Sequence, residues 1–351
     1  MIVGGYKIVS LNIMSKKVIL VKHNDSQLAN QLWVHISLLA YALEKGYEFD
    51  SYKFYEYAKY FDFKSKNFFI NLIFYKGFSV FSNLLEPLNF KKRRLSFYII
   101  RKIFKLIYLI FYAILEMIKN KNFIYAGLIP RSPSDIYFLS PTEPSEGKLL
   151  ELENNPKVKT IYFSGWLFRN PEGIKKYRQE ILEFFKPKEK YLNKVNEIIN
   201  ELKTQYDYLI GVHLRQKEHL FDGDWKYEND PLFYFTQSDY ETLIKAFNEI
   251  CKFINFPLDK VCFIICSNGD IDLDKFSGFN VYRPLTKTPI EDLWLLSKTN
   301  IILGCQSSFS ILASALGDIP LVLISKNIDW DYYKDKKGYF QNKYFVQWYV
   351  F

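Results

Sequence analysis

The 351-residue chain is 49% hydrophobic and 24% charged, which excludes a disordered protein and leaves length for about two domains. Its net charge of +9 is concentrated: between Lys76 and Tyr125, ten basic residues accompany two acidic ones, a local net charge of +8. The basic residues are interleaved with aliphatic ones and no nucleic-acid-binding motif is present, so nucleic acid is not an expected partner.

The opening stretch MIVGGYKIVSLNIMSKKVILVKH has no long apolar core and no small-residue cleavage site, so no leader is expected, and Met14 is a second candidate start. KVILVKHN (17–24) predicts a buried strand, and SQLANQLWVHISLLAYALEKGYEF (26–49) a helix closed by Gly46 and followed by a second strand. From about 52 to 125 the pattern is aromatic and largely helical. Within it, FKKRRLSFYIIRKIFKLIYLIFYAILEMIKNKNF has a longest charge-free run of ten residues, Leu106 to Leu115, too short for the roughly 20 residues of a bilayer span. Residues 91–121 therefore read either as a helix lying on an anionic membrane surface or as a core helix with a charged first turn.

SPSDIYFLSPTEPSEGK (132–148) reads as loop, VKTIYFSGW (158–166) as a strand, and EKYLNKVNEIINELK (189–203) as an amphipathic helix connecting two domains. Beyond it strands and helices alternate: strand 208–215, helix 238–253 capped by Ser238, strand 260–268, helix 288–299, strand 300–305, helix 307–317 and strand 319–325. Such alternation predicts an α/β protein with a doubly wound parallel sheet. The expected layout is an N-terminal domain over 14–188, a C-terminal domain over 189–330, and a tail, 331–351, packing back on them. Four cysteines, Cys251, Cys262, Cys266 and Cys305, lack zinc spacing and read as buried reduced thiols, as in a cytoplasmic protein.

In such sheets ligands bind beyond the C-terminal ends of the strands. His213 and Arg215 share one face of their strand, and an Arg at a strand end suits a diphosphate. Gln306, Ser307, Ser308 and Ser310 open a helix whose N-terminus suits an anion. Asn268 and Asp270 follow another strand and could bond a base or ribose. Ser26, Asn30 and Gln31 follow the first strand. Alone, each has an ordinary reading: a surface Arg, a half-buried structural His, a serine cap, an Asn-Gly turn, an Asp25 or Ser26 cap. All four groups lie at strand ends.

The order of these stretches resembles that of the α-1,2-fucosyltransferases, glycosyltransferase family 11, and of the wider fucosyltransferase superfamily. That family opens with Gly-Gly-x-Gly-Asn-Gln-hydrophobic; here SQLANQLW keeps Asn30, Gln31 and Leu32, with Ser26, Gln27 and Ala29 at the glycine positions. Its His-x-Arg-Arg-Gly-Asp stretch is similar to HLRQKEH, where His213 and Arg215 match and Gln216, Lys217 and Glu218 depart. Its Phe-x-Phe-Ser-Asp strand is similar to FIICSNGD, with Asn268 in place of the Asp. The block from Asp292 to Gly317 follows the family's Asp-Leu-x-Leu-Met-Ser, Asn-Ile-Ile and Ser-Ser-Phe-Ser most closely. The resemblance covers about 22–48 and 208–325 and leaves the basic segment without a counterpart.

The resemblance implies two Rossmann-like domains facing a cleft (GT-B type), here with an aromatic-rich helical insertion in the N-terminal half. It implies an enzyme with no cofactor and no metal, which moves fucose from GDP-fucose to a glycan hydroxyl with inversion, in surface polysaccharide or lipopolysaccharide synthesis. By the same match Arg215 would hold the diphosphate, His213 would line its pocket, and Ser307, Ser308 and Ser310 would bind phosphate. Asn268 and Asp270 would complete the donor site, and Ser26, Asn30 and Gln31 the acceptor side. Glu218 stands in for the family's acid and, with His219, Asp222 and Asp224, is a candidate base. Peripheral attachment to the inner face of the cytoplasmic membrane through 91–121 fits this setting. Two alternatives are another sugar or pyruvyl transferase of surface-glycan synthesis, and a degenerate relative that binds glycan or membrane without catalysis.

Overall fold

The computed structural model describes residues 16–22, 27–84, 90–126, 145–165, 168, 170–216, 234–286 and 288–334. Ser26, Glu218, His219, Asp222, Asp224 and the tail beyond Lys334 lie outside the described residues. Two compact units emerge, the first of residues 1–25, 34–56 and 64–181, the second of 26–33, 57–63 and 182–351.

The first unit carries β1 (Lys17–Lys22), most of α1 (Leu28–Lys45) and β2 (Glu48–Ser51). Next come α2 (Phe68–Ile70), a π-helical stretch (Asn71–Lys76), α3 (Gly77–Leu84) and α4 (Phe90–Lys119). They are followed by β3 (Phe123–Ala126), α5 (Ser145–Asn154), β4 (Thr160–Gly165), α6 (Pro171–Lys176) and α7 (Arg178–Phe184), of which the last runs across the boundary between the units. All four strands are parallel, in the order β2-β1-β4-β3. β3 is a strand that the sequence pattern does not announce, and α5 starts inside the stretch expected as loop.

The aromatic insertion closes the C-terminal ends of these strands. Tyr75 donates its hydroxyl to the Ser51 carbonyl at the end of β2 (2.7 Å), and Tyr108 donates to the Val21 carbonyl near the end of β1. The Tyr112 hydroxyl meets Ser164 Oγ on β4 at 3.0 Å. Buried strand ends leave carbonyls that need donors, and a tyrosine supplies one while its ring fills the core. Thus α4 packs through Phe104, Tyr108 and Tyr112, spaced four apart on one face.

The second unit carries α8 (Glu189–Gln205), β5 (Tyr208–Leu214), α9 (Tyr240–Ile254), β6 (Val261–Ser267) and β7 (Val281–Tyr282). It continues through α10 (Pro289–Ser297), β8 (Ile301–Gly304), α11 (Ser308–Gly317), β9 (Leu321–Leu323) and α12 (Trp330–Tyr333). Its five strands are parallel in the order β7-β6-β5-β8-β9, the doubly wound arrangement. β5, β6 and β8 are buried on both faces, which is why they read as unbroken apolar runs. Phe247 of α9 stacks on Phe263 of β6 with ring centroids 3.9 Å apart.

Caps set the helix starts. Thr288 and Glu291 form a capping box before α10. Ser238 does not cap α9: Thr236 and Asp239 form the capping box, on a 3-10 turn that leads into the helix. At the end of the described residues, Trp330 Nε1 donates to Glu249 at 2.9 Å and the Tyr333 hydroxyl accepts from the Leu323 amide.

Candidate functional site

In the second unit the chain leaves β5 toward β6 on one side and reaches β8 on the other. The winding direction reverses between β5 and β8, and beyond the C-terminal ends of strands at such a switch point sheets of this kind bind their ligands. His213 of β5 pairs in register with Gly304 of β8, so Arg215 and the start of α11 follow from adjacent strand ends.

Arg215 is half-buried and fixed from two sides. Its carbonyl accepts the Phe235 amide at 2.7 Å, and its guanidinium lies over the Tyr234 ring, 4.7 Å from the centroid. Tyr234 is itself buried, so the ring is a firm shelf that orients the cation.

His213 is buried, stacks on Phe309 with centroids 4.9 Å apart, and holds Ser310 Oγ with Nδ1 at 2.6 Å. Burial, then the nearby Arg215 charge, pushes its pKa down to about 3, so the imidazole is neutral at physiological pH. Ser310 is fully buried as well. The pair therefore joins β5 to the first turn of α11 and shapes the site from behind. Gly304 makes this approach feasible, because a Cβ there would stand 2.9 Å from Ser310 Oγ.

Ser307 is the N-cap of α11 and accepts the Phe309 amide at 3.2 Å. Ser308, half-buried, is the first residue of this ten-residue helix, and the helix presents its positive end beyond β8. Burial lifts the Cys305 thiol to about 11, so this buried cysteine is a small apolar residue of the turn.

Asn268 and Asp270 sit on the neighbouring loop after β6. Asn268 Oδ1 accepts the Gln216 amide at 2.7 Å, and its Nδ2 donates to the Gln216 carbonyl at 2.9 Å. Gln216 Nε2 donates in turn to the Asp270 carbonyl at 2.7 Å. The loops after β5 and β6 are thus clasped together, with the Asn268 amide and the Asp270 carbonyl engaged in the clasp.

Asn30, half-buried, and Gln31, fully buried, lie in the first turns of α1 and belong to the second unit. Trp33, on the next turn, donates its indole N–H to the Ser308 carbonyl at 3.2 Å. Sequence reasoning did not single out Tyr234, Gln216, Phe309 or Trp33. The signals for them were slight: the aromatic run FYF at 233–235, the place of Gln216 beside Arg215 and that of Phe309 within SSFS. No group of acids, cysteines and histidines suited to holding a metal ion occurs among the described residues.

No family model matches the chain, and no curated protein matches it. Among solved structures it is similar to an Arabidopsis thaliana FUT1 mutant in complex with GDP, with a TM-score of 0.50 and 11% identity over 92% of this chain and 74% of that one. It also aligns with NodZ α-1,6-fucosyltransferase, from Bradyrhizobium, soaked with GDP-fucose (TM-score 0.44, 16% identity, 87% and 94% of the two chains). A third alignment is with POFUT1 in complex with GDP (TM-score 0.47, 11% identity, 89% and 99%). At these identities the likeness is one of fold. The chain has two Rossmann-like parallel units of the GT-B type, with an aromatic-rich helical insertion in the first, on the fold of the FUT1 structure.

Proposed function

We propose that this chain is a glycosyltransferase that takes fucose from GDP-fucose and passes it, with inversion and without a metal, to a glycan hydroxyl in cell-surface polysaccharide or lipopolysaccharide synthesis. The observation that carries the reading is the placing of Arg215, stacked on Tyr234, at the same sheet switch as the α11 N-terminus. A guanidinium and a helix dipole converging there suit a diphosphate, whose charge grows as it departs. The matching stretches from Asp292 to Gly317, and the FUT1 structure of like fold, which is a GDP complex, support the same donor.

The acceptor oxygen attacks the anomeric carbon from the face opposite the diphosphate. As that bond forms, the bond to the β-phosphate oxygen breaks, its electron pair stays on the phosphate, and the configuration inverts. Arg215 and α11 stabilise the leaving charge. The hydroxyl proton passes to a base, for which Glu218, His219, Asp222 and Asp224 are the candidates.

The clasped Gln216 favours a second reading. Where the resembling family carries a second Arg, this chain has an amide bonded to the β6 loop, which suits a differently substituted nucleotide sugar or a related surface-glycan transferase. Thermal shift against GDP, UDP, ADP and CMP separates the two. A ligand present at a hundred times its Kd stabilises by about 2.7 kcal/mol. GDP giving the largest shift supports fucosyl transfer, another nucleotide supports the second reading, and a flat response to all four removes both.

A further inference from the structure

Of the 22 large apolar side chains exposed among the described residues, 16 lie on just two helical stretches of the first unit, Phe68–Leu84 and Phe90–Lys119. On α4, at about 100° per residue, the packed residues Phe104, Tyr108 and Tyr112 define one side. Ile99, Leu106, Ile110 and Met117 lie on the opposite side, and Met117 is 76% exposed. The helix is therefore apolar on both faces, unlike an ordinary surface helix. The preceding stretch shows the same inversion, with Phe68 and Phe69 each 70% exposed. The two stretches touch where the part-exposed Phe81 of α3 meets Phe104 on the packed side of α4.

Soluble monomers rarely expose so much contiguous apolar surface unless something covers it. We propose that the outer faces of 68–84 and α4 seat together in the interfacial layer of an anionic phospholipid bilayer, with α4 lying in the plane of the membrane. Charge selects this occupant. Lys102 and Lys105 lie along one edge of the apolar stripe, Lys119 and Lys121 close the C-terminal end, and Lys91 to Arg94 open the N-terminal end. Long basic side chains at the edge of such a stripe reach lipid phosphates while their stems cover apolar surface. A second copy of the chain would instead set one +8 segment against another. No described helix is long and apolar enough to cross a membrane, so the surface lies on the bilayer.

The test is co-sedimentation of the full chain with vesicles of phosphatidylglycerol and phosphatidylcholine, beside vesicles of phosphatidylcholine alone. Binding is expected only where phosphatidylglycerol is present and is expected to weaken as salt rises. The combined variant Phe68→Ser, Phe69→Ser, Leu106→Ser and Met117→Ser changes only exposed side chains and is expected to keep the native Tm. It is expected to bind vesicles at least about tenfold more weakly, as is the variant with Lys91 to Arg94 changed to serine. Equal binding by either variant overturns the proposal. So does native binding indifferent to phosphatidylglycerol, or a native dimer in solution that the apolar variant converts to monomer.

Discussion

The His213 imidazole and the Ser310 hydroxyl, 97 residues apart in sequence, meet at 2.6 Å behind the turn that opens α11. Neither group reaches the surface, so the contact fixes the turn that carries Ser307 and Ser308. Ser310→Ala leaves a buried imidazole nitrogen without its partner, which costs about 1–3 kcal/mol. A Tm lowered by several degrees, with weaker nucleotide stabilisation, is the expected result in calorimetry. An unchanged Tm shows that the contact does not hold the turn.

Acid is expected to act through the same histidine. Below its ordinary pKa of 6.5 the unfolded chain takes up a proton at His213, while the folded chain refuses it down to about 3. The unfolded state thus binds more protons in that window, and stability falls as pH drops through it, by about 1.4 kcal/mol per pH unit from this group. Above 6.5 both states are neutral and the contribution is flat. Urea unfolding of His213→Gln between pH 4 and 7 is expected to show a shallower pH slope than the native chain. Parallel slopes rule out the buried neutral imidazole.

Gly304 gives a sharper probe of the turn. A methyl group there meets Ser310 Oγ at 2.9 Å and Ser310 Cβ at 3.3 Å, both held in a fully buried side chain. Overpacking of this kind costs about 1–3 kcal/mol. Gly304→Ala is expected to lower Tm, and the double variant Gly304→Ala with Ser310→Gly to recover part of the loss. No recovery in the double variant places the strain elsewhere.

How much of this was legible depended on the range of each interaction. The strands β5, β6 and β8 stood out because burial on both faces makes their residues uniformly apolar. β3, Phe123–Ala126, is four residues long and follows a helix rich in the same residue types, so nothing local marks it. The α9 start was legible and misread: Ser238 with Glu241 has the same capping-box spacing as Thr236 with Asp239, and the pair that forms is the second, on the 3-10 turn before the helix. Arg215 and the serines of α11 were visible as residue types at strand ends. The pairings were not: nothing in the local pattern sets Tyr234 beneath Arg215, or joins Asn268 to Gln216, 52 residues away. The exposed side of α4 could not be told from its packed side, since both are apolar.

Arg215 and Tyr234 separate charge from orientation. Arg215→Ala removes the cation that the proposed function sets against the diphosphate, and loss of one such stabilising group lowers turnover about a hundredfold or more. Its Tm is expected to stay near native, because the half-buried side chain leaves the β5 ladder intact. Tyr234→Phe keeps the ring and is expected to retain activity, whereas Tyr234→Leu removes a cation–π contact of about 1 kcal/mol, about fivefold in turnover. Steady-state kinetics of the three variants check the order. Full activity in Arg215→Ala ends its assignment to the diphosphate.

Asn268 occupies the place where the resembling family has an Asp, and Gln216 the place of its second Arg. Both departures meet in one clasp, in which Asn268 accepts from the Gln216 amide and donates to the Gln216 carbonyl. A carboxylate can do the first and not the second; at 2.9 Å it would set an anion against a carbonyl oxygen. Asn268→Asp is therefore expected to destabilise the chain by about 1 kcal/mol in urea titration, although it restores the residue type of the family pattern. Asn268→Ser, with no amide at all, is expected to cost about the same. If instead Asn268→Asp is as stable as the native chain and binds nucleotide more tightly, the position faces the ligand and the clasp is incidental.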